Sequence, residues 1–233
     1  MEAGTIQNKD QFLNKVSAKL GRGKSSQVTL PKWKHQPQLE VFKGAPPEVL
    51  TNAFRNSSLE KSTYVVDTDA ADLLKTVREV MAKYGGGQVV ASKDGRFQAF
   101  GLEEVLADRK THIWDVALGN ENIEIAKRAN IGLFFSDAAL AESGTIVQFN
   151  DNDIARSISL LPTVYVAIVP KSAIVPRMTQ VLQTIHESVE NGENLSTCIN
   201  FISGPSNSAD IEMNIVIGVH GPVEAVHIIV NDR

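Results

Sequence analysis

The sequence predicts an α/β layered sheet with flanking helices, preceded by an N-terminal helical arm. Two patterns point there: short apolar strand-like runs alternate with helical periodicities between residues 63 and 135, and strand-like runs outnumber helices from Gly144 onward. The chain's 233 residues, 42% of them hydrophobic and 21% charged, are enough to bury a core without staples.

The arm spans Asn8 to Leu20, with Phe12, Leu13, Val16 and Leu20 at helical spacing, Asn8 and Asp10 as available caps and Gly21 as a stop. From Arg22 to about Pro47, glycines, serines and prolines resist regular structure and suit a segment laid across a surface, with Trp33 and Phe42 as apolar anchors. The expected division is therefore 1–58 for arm and segment, and 59–233 for one α/β domain. Thr63 to Val66 reads as a strand. Asp67 or Thr68 would cap a helix with Leu73, Leu74, Val77, Val80, Met81 and Tyr84 on one face, ended by Gly85-Gly86-Gly87. Those glycines follow a helix instead of joining a strand to one, so neither nucleotide-binding glycine motif has its required context. Strands at Gln88 to Ala91 and Thr111 to Trp114, a helix over Glu121 to Ala129 and a strand over Ile131 to Phe135 continue the alternation.

Beyond Gly144, strands are predicted at Thr145 to Phe149, Thr163 to Val169, Thr197 to Ile202, Met213 to Val219 and Ala225 to Val230. One helix interrupts them, starting near Ser172 or Pro176. It is expected to bury Met178, Val181, Leu182, Ile185 and Val189, with Gly192 past its end.

Composition excludes several functions. A net charge of −4 gives no basic excess for a nucleic-acid backbone. Cys198 is the only cysteine, so the chain can form no intrachain disulfide, Cys-rich zinc site or iron–sulfur cluster of its own, and any redox centre must come from outside. No metal is expected, because the five histidines lack close His or Cys partners; His35, His112, His186 and His227 read as packing or surface groups. The longest apolar run, Val164 to Val169, is too short for a membrane, and Met1-Glu2-Ala3-Gly4 does not open a secretion signal, which makes the cytoplasm the expected compartment.

Three loops are richer in small and polar residues than packing requires. In the first, Ser143, Gly144 and Thr145 offer hydroxyls and a permissive backbone to an anion, and Glu142 is a candidate base or nucleophile. A tight turn satisfying its own backbone explains the same residues. In the second, Asp151-Asn152-Asp153 lacks the offsets of a calcium loop. Arg156 has the chemistry to grip a carboxylate or phosphate, or else to pair with Glu142, Asp210 or Glu212. The third runs from Ser203-Gly204-Pro205-Ser206 through Ser208, Asp210 and Glu212 to Gly218-Val219-His220-Gly221-Pro222. It combines donors, carboxylates and a His that titrates near neutrality, or a satisfied imidazole in a turn.

Together these blocks, with Ser159-Leu160-Leu161-Pro162 between them, resemble the lactate utilization protein C family, the LUD-domain proteins, and the arm from Phe12-Leu13 to Leu20-Gly21-Arg22 is similar too. The chain departs at Tyr165, where a His is frequent in the family, so no role needing an imidazole carries over there. The resemblance implies a fold like the sugar-phosphate isomerase and CoA-transferase group. It also implies a place in L-lactate oxidation to pyruvate beside iron–sulfur partner proteins, as the component without clusters. From the residues themselves, a small anionic metabolite is expected to be held by Arg156 and the 203–208 loop. The alternatives are a free-standing enzyme acting on a CoA ester, folate or phosphorylated small molecule, with Glu142 as nucleophile or base and His220 assisting, or a scaffold or sensor.

Overall fold

The computed structural model describes residues 6–23, 29, 31–211 and 213–232, leaving the side chains of 210 and 211 aside. Contacts divide the chain into two units, Met1–Pro37 and Gln38–Arg233. The first contains α1 (Lys9–Lys19), which ends with Gly21 at φ 63°, as the arm reading expects. Two details stand beside that reading: the Asn8 side chain makes no cap, and Trp33 is 73% exposed.

The second unit holds the strands β1 (Thr63–Asp69), β2 (Val89–Ala91), β3 (Thr111–Ile113), β4 (Ile131–Phe135), β5 (Ala138–Leu140), β6 (Thr145–Asn150), β7 (Val164–Pro170), β8 (Ile174–Val175), β9 (Cys198–Ile202), β10 (Asn207–Ile211), β11 (Asn214–Ile217) and β12 (Glu224–Asn231). Its helices are α2 (Pro47–Glu60), α3 (Leu73–Lys83), α4 (Arg96–Ala99), α5 (Glu103–Leu106), α6 (Asn120–Arg128), α7 (Ser157–Leu160) and α8 (Met178–Glu190). The central sheet runs β1-β12-β7-β4-β2-β3, and every neighbouring pair is parallel. A second sheet, β8-β5-β6-β9, lies beside it, and β10 and β11 form a separate hairpin.

Alternation along the strands sorts the core into two layers. Leu133, Val166, Ile168, Val226 and Ile228 face Leu73, Val77 and Val80 of α3 and the short helices α4 and α5. Phe134, Tyr165, Ala167, Ala225 and Ile229 face Phe54 of α2, Ala126 of α6, Ile158 of α7 and Ile146 of the second sheet. All of β4 and β7 is buried, as strands covered on both faces must be. α7 crosses β4 so closely that a Cβ on Gly132 would sit 1.9 Å from the Ile158 carbonyl oxygen.

The α/β sheet with flanking helices is thus present, with several local differences. α2 has no counterpart in the sequence reading because its buried positions are Thr51, Phe54 and Ser58, and two polar residues mask the apolar period. It spans the expected boundary at residue 58, and Phe54 and Ser58 tie it into the core. β1 continues through Asp67 and Thr68, which therefore cap no helix. α8 buries only Val181 of the five residues expected inside; Met178, Leu182 and Val189 are about half exposed because the small second sheet covers a narrow strip of the helix.

Candidate functional site

The C-terminal end of α2 gathers two of the three loops at the amino end of the central sheet. Gly144, at φ 61°, lies so close to α2 that an added Cβ would be 2.4 Å from the Ser58 nitrogen; at Gly204, φ 75°, it would be 2.4 Å from the Lys61 carbonyl oxygen. Only glycine tolerates both the left-handed backbone and the approach. Between the two loops runs a chain of hydroxyls: Ser143 Oγ meets Thr145 Oγ1 at 2.7 Å, and Thr145 Oγ1 donates to Ser203 Oγ at 3.2 Å. Ser57 Oγ donates to the Glu142 carbonyl at 3.1 Å. A cavity of about 230 Å³ opens beside this cluster, with Lys61, Ser62, Ser203 and Asn207 in its walls.

Behind the loops lies a buried array absent from the sequence reading. Parallel pairing of β7 with β12 sets Tyr165 beside Ala225 and His227 beside Ala167, bringing the Tyr165 hydroxyl 3.1 Å from His227 Nε2. His227 Nδ1 lies 3.1 Å from Ser58 Oγ, and Phe54 stacks on the imidazole at 5.2 Å. Burial pushes the imidazole down to about 3 and raises the Tyr165 hydroxyl. One hydrogen-bonded path therefore runs from Tyr165 through His227 to Ser58 of α2, where α2 meets Gly144. Ser58 and Tyr165 gave no motif, and His227 sat in an apolar run that reads as packing.

Glu142 has its carboxylate paired with Arg177, which precedes α8. Arg156 precedes α7, is exposed, and has no side-chain hydrogen bond or ion pair among the described residues; its carbonyl accepts from Ser159 Oγ, which also donates to buried Gln148 at 2.9 Å. Ser206 joins the last block through its backbone, its N–H on Pro222 and its carbonyl on Gly218, and an added Cβ on Gly221 would stand 3.1 Å from its side chain. Ser208 lies on β10 and His220 is exposed. The Asp210 side chain and Glu212 lie outside the described residues. No hydrogen bond among the described residues joins Glu142 to His220, so the geometry does not assemble that pair as acid and base.

At the carboxyl end, the connections after β2 and β4 leave on opposite faces, the place where open α/β sheets usually take ligands. Here an ion-pair cluster occupies part of the crevice, and a cavity of about 620 Å³ opens beside it between Lys93, Asp94, Gln98, Ile113 and Asp153. Arg96 bonds Asp94 at 2.6 Å, Asp137 at 2.9 Å and the Ser136 carbonyl at 2.9 Å. Burial opposes the Arg96 charge, but the two carboxylates outweigh it and hold the guanidinium above its ordinary value. Burial raises Asp137 despite Arg96 and the Phe149 amide. Among the described residues, no three His, Cys, Asp or Glu side chains form a group that would hold a metal ion, and no helix is long and apolar enough to cross a membrane.

The LUD domain model matches residues 56–230, which begins within α2 and takes in the whole central sheet, both loops and the buried array. The chain belongs to the LUD domain family. This LUD protein is 48% identical to Lactate utilization protein C of Geobacillus sp. strain WCH70 and 46% identical to those of Bacillus subtilis strain 168 and Macrococcus caseolyticus, in each case over all of both chains. Its fold is also that of a DUF162 family protein from Deinococcus radiodurans, whose crystal structure matches with a TM-score of 0.56 at 18% identity, covering 80% of this chain and 99% of that one.

Proposed function

We propose that this LUD protein acts in the cytoplasmic oxidation of L-lactate to pyruvate as a component without clusters, working beside iron–sulfur partner proteins. Full-length similarity to relatives that share the name Lactate utilization protein C carries this reading. The cysteine count supports the division of labour, since Cys198 alone cannot hold a cluster and the electrons from lactate need carriers elsewhere. The cavity beside Ser203 is the place we assign to a small anionic metabolite. Lys61 supplies the positive charge, with Glu60 in the same wall, and Ser62, Ser203 and Asn207 supply donors at the margin of the hydroxyl chain.

Deleting the gene from its host, with no second copy present, abolishes growth on L-lactate as sole carbon source, and the wild-type gene restores it; undiminished growth of the deletion strain overturns the role. Affinity capture from lactate-grown cells brings down cluster-bearing proteins. In calorimetric titrations with L-lactate and pyruvate, Lys61→Ala and Ser203→Ala each weaken binding by about tenfold, the cost of one hydrogen bond to a charged group.

A further inference from the structure

At the opposite end of the sheet, α2 and the strands enclose two adjoining chambers that the family motifs do not touch. The first, about 280 Å³, lies where α2 passes over the last residues of β1 and β12, with Asn52, Arg55, Asp67, Asp69, Lys171 and Asn231 among its walls. The second, about 210 Å³, is lined on one side by Ala45, Pro47, Leu50 and Ile174. Glu48, Lys171 and Asn231 belong to both, so the chambers meet there.

The position is the upper continuation of the face that holds His227. Side chains two apart on a strand share a face, so Ile229 and Asn231 follow His227 along β12, and Asp67 and Asp69 stand on the neighbouring β1 at paired positions. Beside His227, Phe54 fills the space between α2 and the sheet; nearer the start of α2, polar groups line an opening instead.

The charges are arranged unevenly. Arg55 is held by Asp67 through two hydrogen bonds, at 2.9 and 2.5 Å, and by Asn52 at 2.6 Å, which raises its affinity for its proton and fixes the guanidinium. Among the described residues, the Asp69 carboxylate accepts only from Asn231, at 3.1 Å. The Lys171 side chain is 20% exposed, yet among the described residues its ammonium pairs only with Glu48, at 2.6 Å, and that carboxylate is 71% exposed. A sheltered ammonium with donors to spare therefore stands at the junction, Asp67 and Asp69 lie in the first chamber, and the second sets apolar walls against Ser172 and Asp232.

We propose that the two chambers form one site for a small aliphatic zwitterion of the amino-acid kind. Its carboxylate meets Lys171 in place of Glu48, its ammonium meets Asp69 and Asp67, and its apolar tail enters between Leu50, Pro47 and Ile174. A plain anion would face four carboxylates, Glu48, Asp67, Asp69 and Asp232, a plain amine two cations, and a polyol would leave the apolar walls unused. The site goes beyond the proposed role in lactate oxidation and lies at the other end of the sheet, so either can fail alone.

The test is calorimetric titration of the full chain with L-leucine, isocaproate, which lacks the amine, and isoamylamine, which lacks the carboxylate. L-Leucine binds, and each analogue binds at least about tenfold more weakly, since each leaves one charged partner unmatched. Lys171→Met weakens L-leucine by a similar factor, whereas Glu48→Gln strengthens it by releasing Lys171; a merely structural ion pair would move both variants in the same direction. Ser203→Ala leaves L-leucine binding unchanged. Absence of L-leucine binding to the wild-type chain, equal binding of isocaproate, weakening by both Glu48→Gln and Lys171→Met, or loss in Ser203→Ala would each overturn the proposal.

Discussion

At the amino end of the central sheet, glycines press backbone against backbone: Gly144 and Gly204 meet α2 with no room for a methyl group. At the carboxyl end the same helix is held by ion pairs, Arg55 to Asp67 and Glu48 to Lys171, and chambers remain between the partners. One helix thus has a packed end and an open end. Glycine-rich, hydroxyl-rich loops announce themselves in a sequence as ligand cradles, but here much of their glycine content serves close approach, whereas the larger polar opening is lined by residues that form no motif.

This contrast makes Gly144→Ala and Gly204→Ala the most damaging changes. Each forces a side chain into the left-handed region and into backbone, at a cost of about 3 kcal/mol or more in urea unfolding. Gly86→Ala, at φ 60° with open space around it, separates the two contributions and costs about 1 kcal/mol. Equal losses at all three positions would mean that conformation, not packing, demands the glycines.

Next in size is the pH dependence of the buried array. The folded chain holds His227 near 3, against about 6.5 in the unfolded chain, so between those values the unfolded state binds more protons. The His227 contribution is complete above about pH 6.5 and falls as pH drops, by about 2 kcal/mol between pH 6.5 and pH 5. Comparing unfolding of the wild type with His227→Gln isolates this slope; the same slope in the variant would assign it to other groups. Tyr165→Phe removes the hydroxyl that bonds His227 and costs about 1.5 kcal/mol. The smallest effect belongs to the open end, where Lys171→Met changes stability by less than about 1 kcal/mol, because its partner Glu48 is largely in solvent. A larger loss would show that the ion pair closes the carboxyl end as the glycines close the other.

The strands of the central sheet were legible because their apolar runs are short and bounded. Ile131–Phe135 is predicted and found at the same residues, and β1, β2, β3, β7 and β12 shift by a few residues at most. α2 was not, since Thr51 and Ser58 occupy buried helical positions and a hydropathy pattern counts them as polar. α4, α5 and α7 have four residues each, too few to show a period. At the site, two of the three loops marked by composition supply Gly144, Thr145, Ser203 and Gly204, and their meeting on α2 rests on contacts that no local pattern encodes. The Ser58–His227–Tyr165 path depends on parallel pairing between strands 62 residues apart, which no local pattern encodes. The departure at Tyr165 was visible in the sequence; the imidazole that meets its hydroxyl from the adjacent strand became visible only with the sheet order.

The assignment of the anion to the amino end is tested most directly by an amide-resolved NMR titration of the full chain with L-lactate and with pyruvate. The account predicts saturable shifts at Lys61, Ser62, Ser203 and Asn207, with Asp69, Lys171 and Asn231 unmoved. Shifts confined to those last three residues, or none at any concentration, would contradict it.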